Sequence, residues 1–179
     1  MDAKTLGLLD KIDAKLAQLK KELSQVPAEK LSQNPSEGAW SVLQVMIHLR
    51  MAEGYAHQYL QKKLSFDPKL PNTNLQSAFR TSFMNAFNRM PFKIKAPKGV
   101  DTSSLPKIEP LETQMEQWEQ QRKALRAYLS GLDDSLFKKQ VYKHPFAGRL
   151  SLAGMVSFFD SHFDRHYKQI QRTLKAVQS

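Results

Sequence analysis

Apolar residues recur along this chain at intervals of three and four, the period of helices that bury one face, and almost nowhere alternate as strands do. Leu9, Ile12, Leu16, Leu19 and Leu23 make the first stripe, which predicts a helix of about twenty residues stopped by Pro27. Pro35 and Gly38 mark residues 27–39 as a connection. A second helix is expected from Val42 to about Leu64, closed by Asp67, Pro68 and Pro71. Its start is sharply written. Ser41 and Gln44 have the spacing of a capping box, and Trp40 and Val45 stand where a hydrophobic staple packs.

Leu75, Phe79, Phe83 and Phe87 predict a further helical segment over residues 74–90, placed in a long crossover rather than in the bundle proper. Residues 91–110 hold four prolines and Gly99, so a loop is expected there, of a length that suits a cover over a pocket. Leu111, Met115, Trp118, Leu125 and Leu129 give the third main helix, which Gly131 terminates. Asp133, Asp134 and Ser135 suggest a short turn, and residues 141–150, with Pro145 and Gly148, a loop or small hairpin leading to a cap at Ser151. From Leu152 one stripe runs through Met155, Phe158, Phe159, His162, His166, Ile170 and Leu174, the fourth main helix. The expected fold is all-α, a four-helix bundle in a single domain over residues 1–179, its sites built from side chains projecting inward.

Composition narrows the chemistry. The chain has 179 residues and no cysteine, which rules out disulfides, thiolate ligands and a cysteine nucleophile and leaves nitrogen and oxygen to hold any metal. The net charge of +10 raises nucleic-acid binding, but the lysines are scattered and form no basic block, so a solvated surface is the preferred reading. No run is long and apolar enough to span a membrane, and residues 1–25 read as a charged amphipathic helix rather than a secretory leader. The cytoplasm is therefore the expected location.

Three histidines lie within the apolar stripes. His162 and His166 are four apart, about 40° round the helix and about 6 Å along it, so both imidazoles can reach one ion. His48 sits among Val45, Ala52 and Tyr55 and is expected to point inward from the second helix. His57, about 180° further round, is expected to face solvent. His144, just before Pro145, reads as structural or surface. Asp160 and Asp164 fall on the far side of their helix from the pair. Phe163 occupies the position where a zinc-protease helix needs its glutamate, which disfavours a peptidase. On spacing alone two readings stay open: a metal site, or a histidine pair on a helix face with His48 bonded to backbone or water.

The segment from Trp40-Ser41 through His48-Leu49 resembles the signature of the DinB/YfiT-like superfamily, a Trp-Ser helix start followed by a ligand histidine before leucine. Residues 144–151 resemble that family's loop before the last helix, and His162, His166, Gln169 and Ile170 fit its His-x-x-x-His-x-x-Gln-Ile pattern. The resemblance implies an up-up-down-down style four-helix bundle with a divalent metal, zinc or nickel, held by His48, His162 and His166. Gln169 matches the pattern with its role, support of the site or packing, left open.

Reaction does not travel with fold. Three imidazoles would leave a coordination position for water or for a small external thiol, so a thiol-dependent S-transferase and a hydrolase are the expected activities, on a small-molecule substrate. The alternative is a non-catalytic metal-binding or stress-related bundle. Tyr55 and Tyr59 follow His48 and read first as core, second as pocket lining. Trp40 reads as a staple and Trp118 as core. The aromatic segment Phe79 to Phe92 either caps the core or, exceeding what one bundle can cover, supports a homodimer.

Overall fold

A computed structural model describes residues 1–90 and 104–178. α1 (Ala3–Leu23) begins where the Asp2 carboxylate accepts from the Thr5 amide at 2.8 Å, and it buries the expected stripe from Leu9 to Leu23. A short α2 (Ala28–Ser32), which periodicity does not reveal, follows Pro27 and is anchored by buried Leu31. α3 (Val42–Leu64) opens on the capping box: Ser41 Oγ accepts from the Gln44 amide, and Gln44 Oε1 accepts from the Ser41 amide at 2.9 Å. Four of the orphan backbone groups at a helix start need partners, and this sequence supplies two locally.

α5 (Leu111–Ser130) ends at Gly131, and α6 (Leu152–Gln178) begins behind Ser151, whose Oγ accepts from the Gly154 amide at 2.9 Å. α6 packs against α1 and α3, and α5 packs against the same two, so the four long helices close into a ring. Leu16, Met46, Trp118 and Phe159 are among the side chains filling it. Across the middle, Trp118 of α5 meets Phe163 of α6 with ring centres 6.0 Å apart. Between α5 and α6 lie a 3-10 turn (Asp134–Lys138) and a hairpin, β1 (Tyr142–His144) antiparallel to β2 (Gly148–Leu150).

α4 (Leu75–Arg89) is added outside the ring, against α6 and the hairpin. Its inward face is polar as much as apolar: Asn85 Nδ2 donates to Ser157 Oγ at 2.7 Å, and Asn88 Nδ2 to Ser161 Oγ at 2.9 Å. Gly154 permits this close approach, since a Cβ there would stand 2.7 Å from Thr81 Oγ1. The aromatic stripe faces the other way. Leu75, Phe79 and Phe83 are 91%, 69% and 57% exposed, and the Phe79, Phe83 and Phe87 rings stack along the surface at 6.3 and 6.2 Å. The stripe therefore does not cap the core, because α4 docks through its asparagines and Met84 instead. The expected cover over a pocket falls, for residues 91–103, outside the described residues.

Helical periodicity also leaves the charged interior unannounced. Glu53 of α3 accepts from Arg122 of α5 at 3.0 Å and from Trp118 Nε1 at 3.1 Å, while Arg122 Nε donates to Asp13 of α1 at 2.6 Å. Glu53 and Arg122 are both buried, so each supplies the counter-charge that water cannot, and with Asp13 the cluster ties three helices together.

Candidate metal centre

α3 and α6 bring His48, His162 and His166 to one point. One ring nitrogen from each lies within 4.8 Å of the others, and among the described residues no carboxylate or fourth histidine joins the group. The Nε2 atoms of His162 and His166 stand 3.1 Å apart. Two nitrogens each about 2.0–2.1 Å from a shared ion would lie roughly 3 Å apart, so this donor pair fits a divalent metal as it stands. Ring centres of His48 lie 5.3 Å from His162 and 4.8 Å from His166.

Burial sets the charge state. His48 and His166 are buried and His162 is nearly so, its residue only partly exposed. Desolvation and then the neighbouring imidazoles hold His162 well below its ordinary value. Desolvation first and His48 second bring His166 down to about 3, against a raising contribution from Gln169. Imidazoles kept neutral in this way present lone pairs, the form a metal needs. Gln169 Oε1 lies 2.9 Å from His166 Nδ1, and an amide oxygen can only accept, so the proton sits on Nδ1 and Nε2 is left free.

Aromatic rings wall the cluster. Phe158, one turn before His162, stacks on it at 5.0 Å and 19°, and Trp40 stands 5.1 Å from His48. Trp40 is thus more than a staple: its ring belongs to the site. Phe158 shared the stripe with His162, so its place was open to helical spacing, whereas the Trp40 contact depends on how the chain turns into α3.

The other sequence candidates separate cleanly. His144 is buried in the hairpin turn, where Nδ1 accepts from the Phe146 and Ala147 amides at 3.2 and 3.1 Å, a structural role as expected. Asp160 accepts from Lys11 and Lys15 of α1, and Lys15 also reaches Asp164, so both carboxylates serve the α1–α6 seam and not the histidines. His57 corrects the expectation of exposure. It is buried, with its ring 5.2 Å from Tyr128 of α5, because α3 lies between α6 and α5 and its far side is also covered. Tyr55 is 48% exposed and so is neither core nor part of the histidine site, and Tyr59 packs edge-on against Tyr142 at 5.8 Å.

A four-helix ring carrying three converging histidines places the molecule among the DinB-like bundles, and the chain belongs to the DinB superfamily, whose family model matches residues 11–170. Among solved structures it resembles YfiT from Bacillus subtilis, described as a probable metal-dependent hydrolase with an unusual four-helix bundle topology. The likeness has a TM-score of 0.54 at 21% identity and covers 96% of this chain and 85% of that one, which establishes the shared fold. No curated protein matches the chain significantly. Among the described residues no helix is long and apolar enough to cross a membrane.

Proposed function

We propose that the chain is a metal-dependent enzyme in which His48, His162 and His166 hold a divalent ion, zinc or nickel, and a small molecule is hydrolysed or transferred to an external thiol. The observation that carries this reading is the 3.1 Å approach of two neutral Nε2 atoms with His48 beside them and, among the described residues, no fourth histidine and no carboxylate in the group. Three protein ligands with a position left over are the pattern of catalytic zinc, while structural zinc is enclosed by four. When bound, such an ion supplies Lewis acidity, which lowers the pKa of water or of a thiol.

The chain's own residues do the rest. Gln169 fixes the tautomer of His166, and Trp40 and Phe158 keep bulk water from two sides of the cluster. With no cysteine in the chain, a thiol must arrive as a co-substrate of low molecular weight. The description of YfiT as a probable hydrolase favours hydrolysis as the first reaction to assay. The outward aromatic stripe of α4 supports association as a homodimer.

The test is a turnover screen of metal-loaded and chelated protein against esters and amides, and against electrophiles with small thiols. Metal-dependent turnover abolished by His162→Ala is the expected result. Metal binding without turnover in either arm would leave a non-catalytic metal-binding bundle.

A further inference from the structure

Arg50 follows His48 by two residues on α3, about 160° round the helix by the shorter way. It lines a groove of about 150 Å³ between α3 and α5 with Met51, Gly54, Tyr55, Gln58 and Gln121, and none of the three clustered histidines borders that groove. The Arg50 Nε is buried with no hydrogen-bond partner. Among the described residues its guanidinium has no carboxylate partner, in contrast to Arg122 and Arg126, which share Asp13.

Arg50 is only partly buried, but its Nε–H is a buried donor on a permanently charged group, and leaving such a donor unspent is costly unless something supplies an acceptor. Among the described residues that line the groove none is an acid. The remaining polar side chains that line it are those of Tyr55, Gln58 and Gln121. Gln121 Nε2 donates to the Arg50 carbonyl at 2.8 Å, which holds the amide at the groove and leaves its second N–H unspent. Gly54 is needed for that arrangement, since a Cβ there would stand 2.9 Å from Gln121 Oε1. The space holds one oxyanion group, whose paired oxygens match the planar fork of an arginine. A net charge of +10 draws small anions toward the surface.

We infer that the α3–α5 groove is a binding subsite for a small free oxyanion, a carboxylate or phosphate group gripped by Arg50, separate from the histidine cluster. The test is a titration of isotope-labelled, metal-loaded protein with inorganic phosphate and, separately, acetate at fixed ionic strength, following the Arg50 Nε–Hε and Gly54 amide resonances. Saturable shifts at both are expected, weakened at least about tenfold in Arg50→Gln and partly in Arg50→Lys, which keeps the charge and loses the fork. His162→Ala should bind as wild type does, with its metal lost, which separates this groove from an anion ligating the metal. Shifts that grow linearly and spread over the lysines would overturn the inference. So would affinity unchanged in Arg50→Gln, or affinity lost in His162→Ala.

Discussion

Gln169 Oε1 and His166 Nδ1 are 2.9 Å apart, and through that bond a residue outside the histidine cluster decides which nitrogen of His166 faces His162. Partners of this kind typically contribute 10–100-fold in metal affinity. Gln169→Leu should therefore weaken metal binding by roughly that factor in a chelator competition while leaving the helix content unchanged. Equal affinity in both proteins would show that Gln169 only packs.

Arg122 and Glu53 present a second, purely structural test. Removing one member of a buried pair strands the other, at a cost of about 3–5 kcal/mol, whereas replacing both by apolar groups is often neutral. Arg122→Leu should lower stability in urea titrations by roughly that amount, and Glu53→Leu with Arg122→Leu should recover most of it. An Arg122→Leu protein as stable as wild type would contradict the cluster.

His144 contributes to the pH dependence alongside His162 and His166, whose values are also lowered by burial. Burial pulls it down to about 4, below the roughly 6.5 of an unfolded chain, so on acidification the unfolded state takes up the proton first. Its contribution is whole above about pH 6.5 and is lost progressively toward pH 4, up to roughly 3 kcal/mol. In metal-stripped protein, His144→Asn, which retains an acceptor for the turn amides, should make the stability profile shallower across that window by the share of His144, leaving that of His162 and His166. An unchanged slope would show that His144 contributes none of the pH dependence.

The exposed rings of Phe79 and Phe83 bear on assembly. Phe79→Ser with Phe83→Ser should convert a dimer to a monomer in sedimentation equilibrium without lowering thermal stability, since neither ring is buried in the fold. A monomeric wild type would remove the dimer.

Most helix boundaries and all three clustered histidines were legible because their signals are local. Ser41 with Gln44 marks one helix start, Gly131 one helix end, and the four-residue spacing of His162 and His166 places them on one face whatever the fold. What stayed hidden depends on which helices are neighbours. His57 lies opposite His48, and only the presence of α5 on that side turns an apparent solvent position into a buried one. Likewise the α4 stripe looks like a core face until Asn85 and Asn88 are seen bonding α6. Glu53 and Arg122 sit on different helices, and no spacing rule connects them.

The central claim is that three imidazoles share one ion, and X-ray absorption at the zinc edge of zinc-loaded protein tests it most directly. The expected spectrum shows imidazole nitrogens at about 2.0–2.1 Å, lost together with bound zinc in His48→Ala, His162→Ala and His166→Ala and retained in His57→Ala. A spectrum without imidazole scattering, or one that the three cluster variants leave unaltered, would contradict it.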